Sequence, residues 1–176
     1  EGASSGKGRG REVLSVMRAA DLLLIIAKKG NKNEFDRINK EVYLNGVRIN
    51  TSPPSILIHK PLKGGLKINS PPGLAKELVS SMAQEFGLTN ADIAIREKLD
   101  IDGLIDAFSK NRVYTKALYL ATMMDSPGGD SIPPPGWTRY DTSGKEEITE
   151  EEILKISGKT GFGLEKLKEV IWEKLE

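Results

Sequence analysis

Cysteine is absent from the 176 residues. No disulfide framework and no thiolate metal site is therefore open to the chain, which fits a reducing compartment. Histidine occurs once, as His59, with no Asp, Glu or Cys around it at ligand spacing. It reads as a structural residue of a strand rather than a metal ligand or a catalytic base. No apolar run approaches the length of a membrane span, and no signal-peptide pattern stands at the start, so the expectation is a soluble, cytoplasmic protein with no membrane partner. An initiator methionine is missing as well; the first residue is Glu1, as expected for a piece of a longer chain or a processed product. Net charge is small, at +1, but unevenly laid out. Residues 1–70 hold 13 Lys/Arg against 6 Asp/Glu, whereas residues 141–176 hold 6 against 10. The basic side can meet the phosphates of a nucleotide or of RNA, or can be no more than solvated loop lysines.

What is present is organised around the first 27 residues. Four glycines and three cations fall within residues 1–11, which describes a phosphate-friendly loop. Glu12 to Ala20 then places Val13, Leu14, Val16, Met17 and Ala20 on one helical face, and Leu22 to Ala27 is an all-apolar strand. Loop, helix, buried strand is the order of a doubly wound nucleotide-binding sheet. Gly2 to Gly8 approaches the phosphate-binding pattern GxxxxGK[ST] but fails it. The spacing is one residue short, Gly8 stands where Ser or Thr should hold magnesium, and no strand precedes it.

Further along, Glu34 to Asn45 reads as a helix with Phe35, Ile38 and Val42 inward, closed by Asn45-Gly46. Residues 47–100 read as a small α+β unit. It has strands at 55–60 and 66–69 joined across Pro61 to Gly65, a helix from 73 to 86 carrying Leu74, Leu78, Met82 and Phe86 on one side, and a strand at 91–96. A helix over 102–110, capped by Asp100 or Asp102, and an apolar strand at 117–121 follow. Residues 126–145 are rich in proline and glycine with no apolar period. They read as an inserted loop, or as a proline-rich partner ligand around Pro133 to Pro135 and Trp137. Glu146 to Leu154 suggests a short acidic helix capped by Thr149, with Glu152 three residues on. Ile153 to Ile156 is a short strand, and a closing helix from Gly163 offers Leu164, Leu167, Val170, Ile171 and Leu175 as its buried face.

Several of these stretches resemble one family in their wording. Glu1-Gly-Ala3, Gly8-Arg-Gly-Arg11, Ala20-Asp-Leu22, Gly46-Val-Arg-Ile-Asn50, Lys110-Asn-Arg-Val-Tyr114 and Ser157-Gly-Lys159 followed by Thr-Gly-Phe-Gly163 match developmentally regulated GTP-binding proteins, a branch of the Obg-type GTPases. The resemblance implies an α/β fold: part of a P-loop-GTPase-like doubly wound sheet, with an α+β insertion like the second domain of a small-subunit ribosomal protein. It divides the chain into 1–46, 47–100 and 101–176. Gly8, Arg9, Gly10 and Arg11 become part of the second switch. Thr122-Met-Met-Asp125 aligns with NKxD, which implies that Asp125 is the guanine-reading carboxylate, while Thr122 and Met123 replace Asn and the base-stacking Lys; read on its own, Asp125 is equally a turn residue before Pro127-Gly128. Ser157, Gly158 and Lys159 align with the fifth motif, SAK, whose backbone amides contact the guanine carbonyl oxygen.

The implied ligand is GTP or GDP, with Mg2+ in the complete family protein. The implied partners are the ribosome or its RNA and a regulatory protein of the family, with no DNA. The family's P-loop, first switch threonine, DxxG aspartate and TGS domain have no counterpart in residues 1–176. Negligible GTP hydrolysis by this chain alone is therefore expected. The competing expectation is a non-catalytic RNA- or protein-binding module with a vestigial nucleotide pocket.

Overall fold

The apolar run after Ala20 forms β1 (Leu22–Lys28), and the computed structural model, which describes residues 10–28, 34–125 and 153–176, pairs it with a strand far along the chain. That partner is β6 (Val113–Thr122), parallel to β1 from Leu22↔Lys116 to Lys28↔Thr122. β2 (Val47–Ile49) and β7 (Ile153–Lys155) also run parallel to β6, opposite Val113–Thr115 and Tyr119–Ala121. Tyr119 to Ala121 pair with β1 and β7 alike, so those two strands lie on opposite flanks of β6. The odd-numbered residues of β6 face β7, with Ala121 accepting from Ile156 N, and they also face β2, with Thr115 accepting from Asn50 N. β6 is thus central, with β1 on one side and β2 and β7 end to end on the other.

Asn50 bridges the break between β2 and β7. Its Oδ1 accepts from Ala117 N at 2.7 Å, and its Nδ2 donates to Ala117 O at 3.1 Å. A side-chain amide thereby supplies the rung of the ladder that neither strand reaches, from a left-handed backbone position at φ 52.

Helix α1 (Gly10–Arg18) precedes β1, and α2 (Glu34–Leu44) follows it. The inward face of α2 is as expected: Phe35 and Val42 are buried, and Ile38 packs on a core of Ile25, Ala27, Ala117, Tyr119 and Ile153. Phe35 meets Tyr119 edge to face at 5.5 Å. Gly46, at φ 75, lets the chain turn from α2 into β2.

Two helices depart from their expected burial. Val13 and Val16 of α1 are exposed, and α5 (Leu164–Leu175) buries none of its residues; Leu164, Leu167, Val170 and Ile171 are half-buried and Leu175 is exposed. For α5, whose Lys174 carbonyl accepts from the Lys116 ammonium of β6, the reason lies on the sheet face away from α2. Leu118 and Leu120 of β6 are covered there, whereas their β1 neighbours Leu24 and Ile26 are 42% and 50% exposed. Apolar periodicity states what a face is suited to bury; the cover must also be present.

Residues 52–112 form a second unit, and residues 1–51 with 113–176 form the first. The sequence division at 47 and 100 differs from this because β2 joins the parallel sheet, and α4 (Ile101–Phe108) packs in the second unit. There β5 (Ala91–Ile95) is central, antiparallel to β3 (Ile56–His59) and parallel to β4 (Leu66–Asn69). α4 and α3 (Lys76–Glu85) cover one face. Asp100 caps α4, accepting from Gly103 N at 2.8 Å. The inner face of α3 is Val79, Met82 and Ala83, while Leu78 and Phe86 are 37% and 39% exposed. Leu74 lies before the helix begins, so a repeat counted from it starts out of phase. The proline-rich stretch at 126–145 and residues 146–152 of the expected acidic helix lie outside the described residues, and Ile153 and Leu154 belong to β7.

Candidate functional site

In an open parallel sheet, loops at the carboxyl ends of the strands converge, and ligands bind there. β6 and β7 end side by side. Ile156 N donates to Ala121 O at 2.9 Å, and Met124 N to Ile156 O at 3.4 Å, so the two chains stay together past the last rung. Thr122 closes β6 with its hydroxyl turned to Ala27 O at 3.4 Å, tying it to β1. Met123 then takes φ 62, a left-handed conformation that costs a residue with a Cβ about 1–2 kcal/mol and turns the backbone sharply into Asp125.

Opposite it, Ser157 is fully buried at the end of β7. Its Oγ donates to Asp125 Oδ1 at 2.5 Å and accepts from Thr160 N at 3.3 Å. The turn closes on itself through Gly161 N to Ser157 O and Ser157 N to Phe162 O, both 2.9 Å. Gly163, at φ 74, cannot be replaced, because a Cβ there runs into the Lys155 carbonyl oxygen. Within this turn the N–H groups of Ser157, Thr160, Gly161 and Phe162 have acceptors. Those of Gly158 and Lys159, both exposed, have none among the described residues. A Cβ on Gly158 would meet nothing within 4 Å, so glycine in place of the family's alanine leaves the turn unaltered.

The structure therefore brings together Thr122, Asp125, Ser157, Gly158 and Lys159 at adjoining strand ends. Gly8 and Arg9 lie outside the described residues, and Gly10 and Arg11 open α1. Sequence reading missed the left-handed Met123 and the second bond that Ser157 takes from Thr160. Neither left a signal, because both follow from how two distant loops meet. Chemically the site sets a hydrogen-bond acceptor, the Asp125 carboxylate, in the same turn region as two exposed amides with no acceptor among the described residues. Among the described residues no group of three or more His, Cys, Asp or Glu could hold a metal ion. None of their helices is long and apolar enough to cross a membrane.

Residues 63–176 match the family described as the C-terminal region of the MMR_HSR1 domain. An uncharacterized GTP-binding protein of Methanocaldococcus jannaschii is 34% identical over 177 aligned positions, covering 99% of this chain and 44% of the relative. Developmentally-regulated G-protein 1 of Arabidopsis thaliana is 35% identical over 137 positions, 75% of this chain and 34% of the relative. The developmentally-regulated GTP-binding protein 2 homolog of Dictyostelium discoideum is 37% identical over 130 positions, 71% and 35% respectively. The chain spans less than half the length of these relatives. With its family-model match and with the Asp125 and Ser157 loops adjoining, it belongs to the family of developmentally regulated GTP-binding proteins.

Proposed function

We propose that residues 122–125 and 157–163 form the base-reading part of a guanine-nucleotide site. The observation that carries this is the 2.5 Å bond from Ser157 Oγ to Asp125 Oδ1, which fixes a carboxylate next to the amides of Gly158 and Lys159. Guanine presents two donors, N1–H and the exocyclic amine, beside one acceptor, O6. The carboxylate suits the first two and the amides the third. Adenine carries an acceptor in place of the N1 donor and is repelled. Each charge-assisted bond contributes about 1.5–3 kcal/mol, which is enough to discriminate strongly when two are lost together. The names of the relatives, GTP-binding protein among them, support the same ligand.

In this reading the parallel sheet is one part of a P-loop-GTPase-like doubly wound sheet, and the second unit is the α+β insertion of the ribosomal-protein kind. β1 pairs with β6 alone among the described residues, and its Leu24 and Ile26 are half-exposed, which supports a further strand and helix packing there. The phosphate-binding groups then belong to the part of the relatives that this chain does not span. Among the described residues no group of three or more His, Cys, Asp or Glu could hold the Mg2+ of the complete family protein. GTP hydrolysis by residues 1–176 alone is negligible in this proposal, because three or more lost phosphate contacts remove about 5 kcal/mol, roughly several thousandfold in affinity. Ribosome association, a regulatory protein partner and a cytoplasmic location complete the proposal through the family resemblance.

A second reading, a vestigial pocket on a binding module, is favoured by Thr122 and Met123. The hydroxyl of the first is directed to Ala27, and the second brings no cation to the base. Titration of the chain with a fluorescent GDP analogue separates the two. Weak binding that GDP displaces, ADP does not, and Asp125→Ala abolishes is expected. Displacement by ADP as readily as by GDP, or no binding at all, leaves the vestigial reading. Turnover of GTP at the rate of a full-length relative would overturn the half-site assignment.

A further inference from the structure

Among the described residues, the second unit leaves one face of its sheet open. Strand alternation sends Ile56, Ile58, Leu66, Ile68, Ile93 and Ile95 into the core. It therefore turns Leu57, His59, Lys67, Asn69, Asp92 and Ala94 to the other side. Register sets His59, Asp92 and Lys67 in one row across the strands and Leu57, Ala94 and Asn69 in the next. The His59 and Lys67 side chains are 78% and 74% exposed. Arg96, one step beyond β5, continues the alternation and is exposed. From the His59 end, an exposed loop carries Lys60 and Lys63 round to β4, with Leu62 at its tip.

Charge is segregated between the two sides of this unit. α3 and α4 carry Glu77, Glu85, Asp102 and Asp106 against the single cation Lys76, with Asp106 paired to Arg112 at 2.7 Å. The sheet side carries Lys60, Lys63, Lys67 and Arg96. Its acid in the middle, Asp92, stands between His59 Nδ1 at 3.7 Å and Lys67 Nζ at 3.9 Å. Nearby Glu97 is engaged by Ser55 N at 2.6 Å.

We infer that this open sheet face binds single-stranded RNA. Two rows of cations, at Lys67 and at Arg96, lie four residues or about 13 Å apart along the strands and meet successive parts of a phosphate backbone. Between them the His59 ring and the apolar Leu57 give unstacked bases a surface to lie on, as single-strand binders do with aromatic and apolar side chains on a sheet. Asn69, exposed in the middle row, can both donate to and accept from a ribose 2′-hydroxyl, the group that tells RNA from DNA. Three strands make a platform about 10 Å across, the width of one strand of nucleic acid rather than a duplex. Asp92 restrains the face by holding Lys67 until a phosphate takes its place. The inference stands on the second unit alone and uses no residue of the guanine site, so its failure would leave that reading untouched.

The test is fluorescence anisotropy of a labelled 12-nucleotide single-stranded RNA of mixed sequence, titrated with the full chain from 50 to 200 mM salt. Binding is expected to weaken with salt at a log–log slope of about −1.5 to −3, the signature of two to four phosphate contacts on a single strand. Lys67→Glu combined with Arg96→Glu should weaken it at least about tenfold, Asp92→Asn should tighten it about threefold, and Lys76→Glu, on the helical side, should leave it unchanged. Lys67, Lys76 and Arg96 are exposed and Asp92 is half-exposed, and circular dichroism checks that each variant is folded. Unchanged binding by the double variant, or an equal loss with Lys76→Glu, overturns the assignment of the face. DNA of the same sequence bound as tightly overturns the choice of RNA. A polyglutamate peptide bound more tightly through the same residues identifies an acidic protein partner instead. Asp92→Asn binding no more tightly overturns the restraint given to Asp92.

Discussion

Ser157 Oγ and Asp125 Oδ1 lie 2.5 Å apart, although the two residues are 32 positions distant in the chain. The serine is fully buried and its hydroxyl also accepts from Thr160 N, so one oxygen atom fixes both the carboxylate and the turn. Ser157→Ala is expected to lower stability by about 1.5–3 kcal/mol, the range for a hydrogen bond to a charged group. It should also weaken binding of a GDP analogue several-fold. A double-mutant cycle with Asp125→Ala, read by urea unfolding, should give a coupling energy of about 1–2 kcal/mol. A coupling of zero would mean that Ser157 does not hold the carboxylate.

Asn50 does for the sheet what Ser157 does for the site. It joins β2 to the register of β7 by giving Ala117 both an acceptor and a donor. Asn50→Ala removes both partners from a buried backbone and is expected to cost about 2–4 kcal/mol. Asn50→Asp keeps the bond from Ala117 N but opposes a carboxylate to Ala117 O, and should fall between the two in a urea melt. Equal stability of all three forms would show that water replaces the amide at no cost.

The strands and helices were largely legible because their signals are local. The apolar run Leu22 to Ala27, the cap at Asp100 and the glycine after α2 each announce an element without reference to anything distant. The approach of Asp125 to Ser157 was legible only through the resemblance of two short motifs to a known pair. What could not be read depends on neighbours remote in sequence. Asn50 stands out only once β2 and β7 are known to end on the same flank of β6. The phase of α3 depended on where the helix starts, after Leu74 rather than at it. The burial of α5 and of β1 depended on cover that no local pattern specifies.

Alternation along β1 gives that last point a measurable form. Ile25 is 5% exposed and packs against Phe35 and Tyr119 in the core, while Ile26 beside it is 50% exposed. Ile25→Ala should cost about 2–5 kcal/mol by leaving a cavity. Ile26→Thr, the same strand and one residue on, should stay within about 0.5–1 kcal/mol in this chain. A large loss at Ile26 would show that this side of β1 is already covered, and would remove the support it gives to a further strand and helix.

Met123 tests the ligand side of the site without touching Asp125. Its side chain is 45% exposed beside a left-handed backbone, at the position where the proposed guanine site would set a cation over the base. Met123→Lys should keep stability within about 1 kcal/mol, since the side chain is 45% exposed and lysine keeps its length. It should tighten a fluorescent GDP analogue by about three- to tenfold through the alkyl stem and the ammonium over the ring. Met123→Gly separates side chain from backbone. Glycine adopts φ 62 without strain, so stability should hold or rise by up to about 1 kcal/mol, while the loss of the thioether surface weakens the analogue. If lysine brings no gain and glycine no loss, the base does not lie under residue 123, and the site reads its ligand from the Ser157 side alone.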